Sequence, residues 1–292
     1  MNDTEIDAVI VCYGVSDVLP HAVRALVDDP SVRCVILVDN GGTAEQLVEL
    51  ERRSQGRVRR IGRGENIGFG AGVNRGSEHS DAAYLAIINP DCIVAKNALS
   101  VLRDEMCNLP GAVAAGGLLL NQDGTEQEGG RRRQPTLLDA VARRLRLHQL
   151  PYIGGRLNFN DAGRPLPSGH SVVSGLSGAF MLVRRDAFEQ VAGFDERFFL
   201  HFEDLDLCDR LRRIGGILLF VPAARAVHEK GESSSAVPMF VSYHKHRSFL
   251  LYRCKRESSV LARAATPCVV VGAGVSLALE AIRAVVLRKS AR

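Results

Sequence analysis

Short apolar runs alternate with helix-period segments along the first 120 residues. Residues 6 to 13 (Ile-Asp-Ala-Val-Ile-Val-Cys-Tyr) and 32 to 38 (Val-Arg-Cys-Val-Ile-Leu-Val) are rich in β-branched side chains, and a helix-like stretch separates them. That pattern predicts a βαβ unit. Val58 to Ile61 and Ala82 to Ile88 predict further strands, and Thr43 to Arg53 and Ala71 to Glu78 predict helices. The alternation implies an α/β fold with a mostly parallel sheet flanked by helices. Ala112 to Leu120 adds another strand before an Asn-Gln-Asp-Gly turn.

The pattern breaks down between residues 129 and 170. Arg131 to Arg133, a helix-like stretch bearing Arg143, Arg144 and Arg146, and a loop rich in Gly, Pro and Asn follow one another there. This insert reads either as a basic solvated helix or as a membrane contact. Order returns at Val172, with 174 to 183 as a glycine-punctuated strand, and Ile217 to Val221 and Arg225 to Val227 predict two more. Between them Leu207, Leu211 and Ile214 recur at helical spacing, and Gly215-Gly216 ends that helix. From Pro238 a basic helix mixes His244, Lys245, His246, Arg247, Arg253, Lys255 and Arg256 with Phe249, Leu250, Leu251 and Tyr252. The apolar stretch from Pro267 to Leu287 is interrupted by Glu280 and Arg283. It suits a helix lying in a membrane interface, or a buried hairpin or dimer contact, better than a clean span.

Composition changes this picture little. The 292 residues are 46% hydrophobic and 24% charged, enough for one large domain or two small ones. Seven cysteines, at 12, 34, 92, 107, 208, 254 and 268, form no CxxC pair, which predicts reduced core residues of a cytosolic protein. The start, MNDTEIDAVIVCYG, lacks a basic n-region, so no signal peptide is expected and the working face should be cytoplasmic. Charge changes the picture more. The net +4 divides into +8 beyond residue 235 and −4 before it. The basic tail points to a polyanionic partner, either an anionic membrane surface or nucleic acid.

Sites in parallel sheets form where the strands end. The second strand stops at Asp39-Asn40 and the fourth at Asn89-Pro90-Asp91. An Asp at such an edge accepts bonds from a base or ribose, and an acid behind a rigid Pro can hold a hard divalent cation bridging two phosphates. Turn formation accounts for either motif alone, but two on one sheet edge favour a site. Between them, the Gly62 to Gly76 segment carries glycines that permit close backbone approach to a ligand. Its Asn66 and Asn74 suit hydrogen bonds to a sugar or nucleotide, although its irregular spacing is not a dinucleotide fingerprint.

The stretch from His201 to Leu211 packs Glu203, Asp204, Asp206 and Asp209 into the start of a helix. Helix capping explains such acids and is the preferred reading for Asp206 and Asp209, taken as helix and surface acids. Phe194, Phe198, Phe199, Leu200 and Phe202 lead up to Glu203 and Asp204. An aromatic-walled cleft there suits a carboxylate acting as a base. His228 ends the last strand, where it is either structural or a metal ligand.

In order, a VDN strand end, EN-x-GFGAG-x-N-x-G, NPD, SG-x-F-x-LVRR, GFDERFF, FEDLDLCDRLRR-x-G and a later His resemble the inverting GT-A glycosyltransferases of family 2. Within it the likeness is greatest to bacterial rhamnosyltransferases acting on N-acetylglucosaminyl-diphospho-polyprenol, and it covers about residues 6 to 256. The resemblance implies a GT-A catalytic domain over 1–235, followed by a basic, membrane-associating tail over 236–292. Within the domain it implies a nucleotide-sugar half (1–120), a variable acceptor-side insert (129–170) and an acceptor and base half (171–235). It implies donor contacts at Asp39, Asn66, Gly68, Asn74 and Asn89, and Mg2+ or Mn2+ on Asp91 with His228 as a second metal or diphosphate contact. Asp204 takes the general-base position, with Glu203, Ser177 and Gly178 as its neighbourhood.

The implied partners are a dTDP- or UDP-sugar, dTDP-rhamnose foremost, a polyprenyl-diphosphate-linked saccharide and the inner membrane face. Nucleic acid is not among them, and a homodimer stays open. Asn40-Gly-Gly-Thr43 departs from the family's usual DN-x-S-x-D at the nucleobase edge. A different donor on another glycan is the alternative reading. A nucleotidyltransferase would want a Gly-rich basic loop after the first strand, where Tyr13 to Pro20 stand instead, and a non-catalytic binding module would not need Asp91, Asp204 and His228 together.

Overall fold

The computed structural model describes residues 5–42, 44–133, 162, 164–229 and 238–256. Strands β1 (Ile6–Cys12), β2 (Val32–Asp39), β3 (Val58–Gly62) and β4 (Tyr84–Ile88) run parallel, joined through α1 (Leu19–Val27), α2 (Ala44–Arg53) and α3 (Phe69–Ser77). They are followed by β5 (Cys92–Val94), α4 (Ala98–Asn108), β6 (Ala112–Leu120), β7 (Arg131–Arg132), β8 (Ser171–Val172), β9 (Gly175–Leu176) and β10 (Phe180–Arg184). The described chain closes with α5 (Arg185–Gln190), α6 (Glu203–Arg213), β11 (Ile217–His228) and α7 (Pro238–Arg256).

One sheet has the order β3-β2-β1-β4-β10-β6-β11-β5, with β8 also paired to β11. Strand β10 sits antiparallel between β4 and β6, while β6 and β11 resume the parallel direction. The central strands β1 and β4 are buried along their whole length because helices cover both faces. On one face Leu19 and Leu26 of α1 pack with Leu99 and Leu102 of α4. On the other, Val73 of α3 packs with Phe188 of α5 and with Leu207 and Leu211 of α6.

Several elements differ from the sequence expectation. The stretch read as one strand over 174–183 divides: β9 pairs with β7 in a separate ribbon, and Ser177-Gly178 form the turn into β10. The two strands expected at 217–227 are one strand, β11, whose register against β6 shifts between Val221 and Arg225, around Pro222. The glycines of the 62–76 segment serve the fold more than a ligand. A Cβ at Gly72 would lie 2.7 Å from Val11, and one at Gly76 would strike Val9, so these glycines let α3 lie directly on β1. Gly68, at φ +89°, lies so close to Phe199 that a Cβ would stand 2.6 Å from its carbonyl oxygen.

Helix α7, the start of the basic tail, packs on the acid-rich helix α6. Tyr252 joins Phe198 and Leu205 in a third apolar cluster. The Tyr252 hydroxyl donates to Asp209 at 2.9 Å, and Lys255 Nζ lies 2.6 Å from Asp195 and 2.5 Å from Asp206. Asp206 also pairs with Arg210 at 2.7 Å. The expectation of surface acids at Asp206 and Asp209 is therefore corrected: both are buried, and they hold the tail helix against the domain. Lys255 is correspondingly occupied by intramolecular pairs. No helix among the described residues is long and apolar enough to cross a membrane. The helix expected within 134–161 and the apolar stretch from Pro267 to Leu287 lie outside the described residues.

Candidate active site

The carboxyl ends of β1 and β4, the turn after β9 and the start of α6 open into one cleft of about 520 Å³. Asn66, Gly68, Asn89, Asp91 and His228 line it on the side of the strand ends. Ser177, Gly178, Glu203 and Asp204 line it opposite. Two sequence candidates stand elsewhere. Asp39 is buried behind the cleft, where it accepts the Gly41 amide at 3.3 Å and faces Arg60 at 3.9 Å. Asn74 donates to the Phe194 carbonyl at 2.9 Å and accepts the Phe194 amide at 2.8 Å. It pins the loop that leads to α6 and does not line the cleft.

On the strand-end side, the polar groups are held by one another. His228 Nε2 lies 3.0 Å from Asp91 Oδ1 and 3.2 Å from the Asn89 amide nitrogen. Its Nδ1 lies 2.6 Å from Gln127 Oε1, and Gln127 in turn donates to the His228 carbonyl at 2.8 Å. Because an amide oxygen only accepts, this arrangement puts a ring proton on Nδ1 and turns Nε2 toward Asp91. A ligating histidine oriented by its other ring nitrogen has the same form. One carboxylate and one imidazole nitrogen therefore fit a divalent cation. Among the described residues, no group of three or more His, Cys, Asp and Glu could hold a metal alone, so substrate phosphates or water must complete any coordination.

The opposite side is built on an unusual helix start. His201 and Phe202 have φ of 67° and 68°, a left-handed conformation that costs energy for side chains of this size. Phe202 is held there by Phe249 and Tyr252, with ring centroids 5.5 and 5.7 Å away. Asp204 Oδ1 accepts its neighbour Leu205's amide at 2.8 Å, and Oδ2 accepts the Gly178 amide at 3.2 Å. Arg132 of β7 reaches across to form an ion pair with the same Oδ2 and donates to the Leu176 carbonyl at 3.3 Å.

Glu203 is buried, and its Oε2 has no hydrogen-bond partner. Desolvation, then the charge of Asp204, pushes its carboxyl up to about 8. Burial, with Lys245 nearby, pushes His201 down to about 4, so its ring is neutral near pH 7. The two adjacent acids thus stand in different surroundings: burial holds the proton on Glu203 near neutrality, while Asp204 faces the cleft and touches Arg132.

Sequence reasoning passed over Arg132, Gln127 and His201 in the cleft, and Tyr13, whose half-exposed ring edges Gly41. Tyr13 carried a signal, as an aromatic directly after the first strand. Arg132 was visible only as part of a basic run.

A mostly parallel α/β sheet with Asn89 and Asp91 at its strand ends, facing an acid-led helix across one cleft, has the form of a sugar-transferring enzyme of the GT-A type. The model of the family described as Glycosyl transferase family 2 matches residues 7–192, and the chain belongs to that family; it is a glycosyltransferase. It is 32% identical over 237 residues to N-acetylglucosaminyl-diphospho-decaprenol L-rhamnosyltransferase of Mycobacterium tuberculosis, covering 77% of this chain and 75% of the relative. To Rhamnosyltransferase WbbL of Escherichia coli it is 27% identical over 249 residues, covering 82% and 85%. Among solved structures, GalNAc-T7 with UDP, GalNAc and Mn2+ matches with a TM-score of 0.60 at 17% identity. That match covers 80% of this chain and 45% of GalNAc-T7, and it bears on the fold alone.

Proposed function

We propose that this glycosyltransferase moves L-rhamnose from dTDP-rhamnose to a saccharide carried on a polyprenyl diphosphate, with inversion at the anomeric carbon. The observation that carries this reading is the placement of Asp204 across one cleft from the Asp91–His228 pair. The names of the mycobacterial and Escherichia coli relatives supply the sugar and the acceptor class. The acceptor hydroxyl oxygen attacks the anomeric carbon, the bond from that carbon to the donor diphosphate breaks, and the hydroxyl proton passes to Asp204. One displacement inverts the centre, and no enzyme nucleophile is needed.

Asp91 and His228 would hold Mg2+ or Mn2+, which when bound supplies positive charge for the departing diphosphate. Asn89 stands beside them for the donor, and Asn66 and Gly68 form the wall toward Asn40, whose amide donates to Asn66 at 3.1 Å. Asp39 acts from behind this wall by fixing the Gly41 turn next to Tyr13. Glu203, Ser177 and Gly178 shape the acceptor end. Holding two substrates in one cleft supplies much of the remaining rate enhancement.

A membrane-surface location is supported by the start of α7, where Met239, Phe240 and Tyr243 are exposed and Phe240 and Val241 border the cleft. A lipid-linked acceptor would meet the protein there. The test is transfer of rhamnose from dTDP-rhamnose to a synthetic N-acetylglucosaminyl-diphospho-lipid, beside a thermal-shift panel of dTDP- and UDP-sugars with Mn2+. Product formed with dTDP-rhamnose supports the reading. Turnover confined to a UDP-sugar would replace the donor assignment.

A further inference from the structure

The pairing of Asp204 with Arg132 is at odds with a base's task. Oδ1 already takes the Leu205 amide and Oδ2 the Gly178 amide, so the guanidinium on Oδ2 occupies the place that an acceptor hydroxyl would need. Gly178 and Leu205 already orient Asp204 through their backbone amides, so Arg132 is not needed to place it. Arg132 is also incompletely satisfied. Its contacts to Asp204 and Leu176 both run through Nη2, while its buried Nε has no hydrogen-bond partner. Arginine presents its donors as a planar fork that suits a phosphate oxygen pair, so the free edge is half of an oxyanion site.

The backbone around Arg132 is fixed while its side chain reaches into the cleft. Next to it, Arg131 is bound to Glu126 at 2.7 Å and to the Pro165 carbonyl at 3.4 Å, and β7 is paired to β9. A swing of the Arg132 side chain therefore needs no rearrangement of the fold. Both substrates of the proposed reaction carry a diphosphate, a stronger competitor for guanidinium than one carboxylate.

We propose that Arg132 is a positioning residue that holds Asp204 in the resting cleft and releases it to the acceptor hydroxyl when a substrate diphosphate takes over its guanidinium. The base is then armed only when the diphosphate is bound, and where that diphosphate is the acceptor's, transfer to stray hydroxyls and water is limited. This inference rests on the reading of Asp204 as the base.

The test compares wild type, Arg132→Ala, Arg132→Gln and Asp204→Asn on two acceptors with the same sugar and alkyl chain, one joined by a diphosphate and one by a plain glycosidic bond. If the acceptor diphosphate is the trigger, wild type has a kcat about tenfold or more lower on the plain acceptor, because the guanidinium then stays on Asp204. Both Arg132 variants then lose that ratio, their KM for the diphosphate acceptor rises about tenfold, and donor hydrolysis without acceptor increases. If the donor diphosphate is the trigger, wild type shows no kcat ratio, and in both variants KM rises for the donor while donor hydrolysis without acceptor does not increase. Variants that leave the ratio, both KM values and donor hydrolysis unchanged, or that lower kcat equally everywhere at constant KM, overturn the proposal. Arg132→Gln keeps an amide for Asp204, and melting temperatures establish that each variant is folded. Wild-type turnover by Asp204→Asn would instead sink the base assignment itself.

Discussion

The two walls of the cleft are stabilised in different ways. On the strand-end wall Asn89, Asp91, His228 and Gln127 satisfy one another through short contacts on rigid elements, so the arrangement exists before any ligand arrives. The opposite wall holds a strained His201–Phe202 entry, a buried Glu203 oxygen without a partner and an arginine nitrogen in the same condition. On the proposed reading, the strand-end wall takes the donor and is preorganised to bind it, whereas the opposite wall takes the acceptor and holds unmet interactions that this second substrate would complete. Substitutions on the two walls should separate accordingly: binding and metal affinity on one, turnover on the other.

The largest effect expected is on the acceptor wall. Asp204→Asn should lower kcat by about 10²-fold or more while donor affinity stays within error, checked by steady-state rates and calorimetry. Next comes Gln127→Ala, which removes the group that orients His228. Metal affinity should weaken by about 10- to 100-fold in a Mn2+ titration, with any rate recovered at saturating metal. A single affinity for variant and wild type would show that the donor wall does not depend on that orientation.

Tyr252→Phe tests the support beneath the acceptor wall. It deprives buried Asp209 of its hydroxyl partner and should cost about 1–3 kcal/mol in denaturant unfolding, with donor affinity unchanged. The smallest effect is a pH dependence. The Glu203 carboxyl is raised from its ordinary 4.5 to about 8 in the fold, so between those values the folded chain keeps a proton that the unfolded chain releases. Its stabilising contribution is complete below the lower value and is lost as pH rises through the upper one. Glu203→Gln, which mimics the protonated form, should therefore gain melting temperature relative to wild type as pH climbs through that window. A constant difference would show that Glu203 is ionised throughout.

Legibility in the sequence followed the same division. The parallel half was readable because each strand is a short β-branched run and each crossover has its own apolar period, and the strand-end motifs Asn89-Pro90-Asp91 and His228 lie where such sheets place ligands. The short strand β5 and helix α4 were missed, the first because three residues carry no period. Asn74 looked like a ligand group because its role depends on Phe194, 120 residues away. Asp206 and Asp209 looked like surface acids because their partners, Lys255 and Tyr252, sit on a distant helix. Arg132 was hidden for the same reason: the contact that gives it meaning, with Asp204, spans 72 positions. Local pattern shows where a residue lies on its own element; pairing across the cleft is a tertiary fact.

The central claim is that donor binding and base catalysis reside on opposite walls. Donor dissociation constants with Mn2+ and single-turnover transfer rates, measured side by side for Asp91→Ala and Asp204→Asn, test it most directly. The account predicts weakened metal-dependent donor binding in Asp91→Ala, and near-normal binding with transfer slowed by about 10²-fold or more in Asp204→Asn. Unchanged donor affinity in Asp91→Ala together with normal transfer by Asp204→Asn would contradict it.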